Sequence, residues 1–126
     1  MRLFLLAAGG GAIGAGARWL VNIGCAAWLG TAFPWATLIV NVVGSFLMGA
    51  LIAVSVPLFA DSVAWRTFLA TGILGGFTTF SAFSLDAWQL LERHQLTLAG
   101  LYIGACVVLS IAGLVAGLAA ARAVLS

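Results

Sequence analysis

Thr37, Asn41 and Ser45 recur every four residues in an otherwise apolar stretch, and Tyr102, Cys106 and Ser110 repeat the interval near the other end of the chain. On an α-helix that interval stacks side chains along one face. Their chemistry is that of neutral hydrogen-bonding groups, with no carboxylate or imidazole in either set. Such stripes suit either a hydrogen-bonded seam between helices or the wall of a polar path. The spacing leaves both readings open.

A third set is Gly75-Gly76-Phe77-Thr78-Thr79-Phe80-Ser81-Ala82-Phe83-Ser84. Two glycines and two β-branched threonines lower helix propensity there. A broken helix is predicted, and carbonyls freed at membrane depth must be buried in protein or line an aqueous cavity, where they offer hard oxygen donors to a cation. Phe77, Phe80 and Phe83 follow at intervals of three beside the hydroxyls of Ser81 and Ser84. A ring edge carries positive partial charge and a ring face negative, so the stripe can serve an anion, a cation or plain core packing.

Other chemistry finds little support. No nucleophile–base pair or metal cluster is apparent, so no enzymatic activity is expected. Gly9, Gly11 and Gly14 fit G-x-G-x-x-G, but no strand precedes them and a dinucleotide-binding unit does not fit. Cys25 and Cys106 lie far apart, without C-x-x-C spacing, and read as small packing residues. The five basic residues are all Arg and scattered, too few for a phosphate-binding patch, so no nucleic-acid partner is implied.

The elements that must hold these residues follow from composition. Of 126 residues, 64% are apolar and 6% charged, against roughly 25% charged in a soluble domain. A spanning helix takes about 20 apolar residues, so four crossings nearly fill the chain and exclude a separate soluble domain. Turn formers and charges bound a single four-span membrane domain, residues 1–126, with spans at about 3–29, 33–59, 65–91 and 96–121. Trp28, Trp35, Trp65 and Trp88 fall near these limits, as an interfacial indole belt would. The segment from Arg2 to Ala17 superficially fits a secretory leader, but apolar character resumes after Arg18, and a full span is expected instead. Small-xxx-small pairs at Gly10/Gly14, Gly72/Gly76, Gly100/Gly104 and Gly113/Gly117 predict close helix packing. With both ends inside, Arg2, Arg66 and Arg122 are cytoplasmic and Arg93 is outside, a weak orientation bias. Asp86, late in the third span, is expected to be interfacial and solvated, with Arg18 or Arg93 as alternative partners.

These residues resemble the small fluoride channels of the Fluc, or CrcB, family over the whole chain. The likeness is carried by Gly16-Ala17-Arg18, by Asn41-Val42-Val43-Gly44-Ser45-Phe46 with Gly49, and above all by Gly72 through Ser84. The resemblance implies an all-α protein with four transmembrane helices, the third broken at its centre. It also implies an antiparallel, dual-topology homodimer with two pores, embedded in lipid in the bacterial inner membrane. By the same resemblance Asn41, Phe80 and Phe83 line the pore, Ser81, Tyr102 and Ser110 match its polar lining, and Arg18 lies near the aqueous vestibule. A structural, non-transported Na⁺ maps onto the backbone carbonyls of Gly75 and Thr78. Cys106 stands where a hydroxyl is more usual. The implied activity is passive, fluoride-specific export that lowers fluoride toxicity.

Two other classes compete. A small proton-coupled multidrug-type exporter has similar size, but needs a membrane-embedded carboxylate in its first span, and none is present. A non-transporting scaffold assembled on glycine seams leaves the stacked hydroxyls, the phenylalanines and the helix break unexplained.

Overall fold

Inside a bilayer, backbone amides have no water to bond to, so a chain this apolar satisfies them within helices. The computed structural model describes residues 1–126, and it contains helices and no strand. Four helical segments are long and apolar enough to cross a membrane: α1 (Arg2–Leu29), α2 (Trp35–Phe59), α3 (Val63–Glu92) and α4 (Leu96–Leu125). The protein is a multi-pass membrane protein. Phe33 and Pro34 stand outside α2, because proline has no N–H and disfavours helical geometry in the residue before it. Helix α2 ends at Ala60, in the left-handed region, whose N–H reaches back to the carbonyls of Ser55 and Val56.

Helix α3 is irregular in two places. It runs as a short α turn (Val63–Arg66), a π-helical stretch (Thr67–Leu74) and a further turn (Gly75–Phe77), then breaks and resumes as Phe80–Glu92. Thr78 and Thr79 are extended, with ψ of 159° and 125°. The interruption therefore falls just beyond the Gly75-Gly76 pair, which stays helical. The glycine that matters to packing is Gly76: a Cβ there would lie 2.5 Å from the Gly11 carbonyl oxygen of α1. Close approach, rather than chain reversal, explains it.

The glycine seams pair the helices. Gly10 and Gly14 of α1 face the backbone of Phe68, Gly72 and Ile73, while Gly49 of α2 meets Leu114 and Leu118 of α4, and Gly117 meets Phe46. Gly100 and Gly104 have no neighbour within 4 Å in this chain. So α1 packs on the first part of α3, and α2 on α4. After the break, α3 leaves α1 and reaches α4, where Ala87, Leu90, Ala99, Tyr102 and Cys106 form a buried cluster flanked by Phe33, Leu38 and Phe83. Only 14 of 126 residues are buried, as expected where apolar side chains face lipid rather than a core.

Candidate functional site

The break is stitched by Asn41. Its Nδ2 donates to the Thr79 carbonyl at 2.9 Å, and its Oδ1 accepts from the Thr79 N–H at 2.8 Å. This double bond fixes which way the amide points, since an oxygen must meet the N–H and a nitrogen the C=O. One Nδ2 proton remains uncommitted. Thr79 also caps the resumed helix, its Oγ1 accepting from the Ala82 N–H at 3.2 Å. Thr78 Oγ1 donates to the Leu74 carbonyl at 2.9 Å, and Arg18 Nε to the Gly76 carbonyl at 3.1 Å. A side chain from each of α1 and α2 thus supplies what the broken ladder lost.

Beside the break lies a groove of about 390 Å³, whose walls include Asn41, Ser45, Phe80, Phe83, Cys106 and Ser110. Asn41 and Ser45 of the α2 stripe thus share its walls with Cys106 and Ser110 of the α4 stripe, while Thr37 and Tyr102, the remaining member of each, lie outside them. No charged side chain lines it. Ser110 Oγ is buried without a hydrogen-bond partner, so its proton is free for a guest in the groove. Phe80 is 76% exposed and half-buried Phe83 stands 5.3 Å from it, centroid to centroid. Of the other residues expected in the lining, Ser81 is exposed, lies outside the groove walls and stands 3.3 Å from Thr79 Oγ1.

Tyr102 is fully buried, and its hydroxyl donates to Asp86 Oδ2 at 2.9 Å. Asp86 thus pairs with neither Arg18 nor Arg93; the chain's single ion pair joins Asp61 of the second loop to Arg66 in the first turn of α3, at 2.9 Å and exposed. Asp86 instead borders two adjoining cavities. One, about 180 Å³, opens beside the first loop with Asn22, Gln89 and Arg93, and the other, about 300 Å³, contains Arg18 and Thr79. Asn22, Thr37 and Asp86 belong to both, so a polar crevice runs from Arg93 inward to Arg18 and the break.

The donor set at the break also bears on a cation. In a continuous helix the Gly75 and Thr78 carbonyls would accept from the N–H groups of residues 79 and 82. Those N–H groups are given instead to Asn41 Oδ1 and Thr79 Oγ1. Both carbonyls are thereby released from their helical partners, which fits hard-cation ligation by backbone oxygen. No cluster of His, Cys, Asp or Glu offers a side-chain alternative.

Sequence reasoning passed over Asn22 and offered Asp86 an arginine as partner, where the structure gives it Tyr102. Asp86 lies 16 residues from its partner Tyr102, on another helix, and Asn22 follows Arg18 by four residues in α1, a pair too short to read as a stripe. The only available signal was a polar side chain within an apolar span.

The profile of the family described as CrcB-like protein, Camphor Resistance (CrcB), matches residues 5–118. Among curated relatives, a protein of Rhodospirillum centenum is 49% identical over 122 residues, covering 97% of each chain. One from Cereibacter sphaeroides is 58% identical over 113 residues, covering 90% of this chain and 89% of its own. A third, from Agrobacterium fabrum, is 52% identical over 117 residues, covering 93% of this chain and 94% of its own. Each of the three is named a fluoride-specific ion channel FluC.

Proposed function

Since the chain belongs to the CrcB family, we propose that it is a fluoride-specific channel, not an enzyme, that passes fluoride out of the bacterial cytoplasm through the inner membrane. The observation that carries this is the uncharged groove at the helix break, whose walls bring together Asn41 with one uncommitted amide proton, the unpartnered Ser110 hydroxyl and the rings of Phe80 and Phe83. Fluoride is small and strongly hydrated, so a pore must replace its water with donors. Conduction also requires release, which neutral donors permit and a buried cation would hinder. Flow is passive, down the gradient created when neutral HF enters and dissociates.

The pore residues on this reading are Asn41, Phe80, Phe83 and Ser110, with Ser81 and Tyr102 in supporting positions and Arg18 at the inner end of the crevice. Tyr102 supports the path from outside the groove walls, its hydroxyl committed to Asp86. Phe80, so exposed in one chain, calls for a second copy to close the pore, as an antiparallel homodimer would. Na⁺ at the dimer axis would be held by the Gly75 and Thr78 carbonyls of both subunits, supplying fixed positive charge and tying the two breaks together. The remaining partners are fluoride and membrane lipid.

The test is fluoride efflux from liposomes containing the purified protein. Fluoride should pass while chloride is excluded; equal permeation of both ions would sink the proposal.

A further inference from the structure

Five aromatic rings form a chain from the groove to the start of α2. Phe80 meets Phe83 with centroids 5.3 Å apart, Phe83 meets Tyr102 at 5.5 Å, Tyr102 meets Phe33 at 5.5 Å, and Phe33 meets Trp35 at 4.7 Å. The Phe33–Tyr102 contact is edge-on, at 87° between ring planes, whereas Phe83 lies at 39° to the same ring. Tyr102 is therefore gripped from two directions, and it is fully buried. Phe33 belongs to no helix: it sits in the five-residue connection between α1 and α2 and borders the outer cavity together with Asp86 and Arg93.

We propose that Phe33 is a positioning residue for permeation: by fixing the Tyr102 ring it keeps the phenol hydrogen-bonded to Asp86. A phenol rotates as a whole about its Cα–Cβ and Cβ–Cγ bonds, so a ring that keeps its neighbours in the buried cluster but loses the edge-on contact can turn its oxygen away from a fixed acceptor. With Phe33 in place, the Asp86 carboxylate is satisfied at 2.9 Å. Without it, the carboxylate would face the crevice with its charge unscreened by that donor, and a carboxylate beside an anion path repels the permeating ion. Phe33 touches no ion. It acts through Tyr102, which makes the first loop part of the permeation apparatus. The flux arm of this inference rests on the fluoride-channel reading; the ring-orientation arm does not.

The chain contains one tyrosine. Protein labelled at tyrosine Cζ therefore gives a single NMR resonance that reports whether Tyr102 keeps its bond to Asp86. In the full-length protein in lipid, Phe33→Leu should shift or split that resonance, and Phe33→Trp should leave it in place. In liposomes Phe33→Leu should lower fluoride efflux about fivefold or more, and in an Asp86→Asn background the same substitution should change efflux by less than about twofold. A loss that merely reflected damaged packing would be equal in both backgrounds, and that result overturns the inference. So does a resonance that does not move. If Phe33→Leu fails to assemble, Phe33→Met carries the same comparison. Absence of fluoride efflux from the unsubstituted protein would count against the channel reading, with the resonance still deciding the role of Phe33.

Discussion

Replacing Asn41 by Asp keeps an acceptor for the Thr79 N–H but sets a carboxylate oxygen against the Thr79 carbonyl, where an N–H now donates at 2.9 Å. Leaving that carbonyl unpaired costs about 1–3 kcal/mol. The groove also gains a negative charge. Asn41→Asp should therefore lower both thermal stability in detergent and fluoride efflux; unchanged values for both would remove Asn41 from the site. Phe80→Ile separates the two effects. Phe80 is 76% exposed, so a side chain of similar volume should leave the helices intact while the polarised ring edge is lost. Efflux should fall with no change in helix content, and wild-type efflux would return the aromatic stripe to simple packing. At this scale the sequence was informative wherever partners shared a helix, as in the Thr37–Asn41–Ser45 stripe. It was silent on what Asn41 binds, because Thr79 lies 38 residues away and the amide's two bonds exist only once α2 and α3 are packed.

At the scale of the helix, the four spans and the stretch that holds the break were legible, while the residues of that stretch at which the chain opens were not. Glycine marks flexible backbone in isolation, yet Gly75 and Gly76 remain helical because Gly76 lets α1 approach. The chain opens instead at Thr78 and Thr79, where Asn41 and the Thr79 hydroxyl compete with the helical ladder. The π-helical Thr67–Leu74 had no compositional signature at all. Two outcomes follow for these elements. Gly76→Ala and Gly117→Ala each push a methyl into a facing carbonyl, of Gly11 and of Phe46, and should destabilise the fold by about 1–3 kcal/mol. Gly9→Ala, with nothing within 4 Å, is the control and should be mild in a detergent unfolding assay. Thr78→Ser retains the hydroxyl that bonds the Leu74 carbonyl, so on the proposed Na⁺ site efflux should require Na⁺ in this variant as in the unsubstituted protein. If channels run normally after Na⁺ is removed and not replaced, the cation assignment is wrong.

For the whole molecule, a chain with so weak an arginine bias should insert both ways. A single loop cysteine in a background without Cys25 and Cys106 should be labelled from both sides of the membrane, and labelling from one side alone would exclude dual topology. Gly75 is where the proposed pairing of two copies can be tested: within one chain a Cβ there meets only the Ala70 carbonyl, at 3.4 Å. Gly75→Leu should accordingly spare helix content yet abolish dimers in cross-linking. With 14 of 126 residues buried, the exterior belongs to lipid, and this bears on how the fold responds to temperature. When helices part in a bilayer, side chains exchange protein contacts for acyl chains and meet no new water. The heat-capacity increment of about 12–15 cal/mol/K per residue that curves the stability of soluble domains arises from hydration of exposed surface, and here that source is nearly absent. Helix dissociation in lipid should give a nearly straight van't Hoff plot, without the return to instability on cooling that a water-driven core shows.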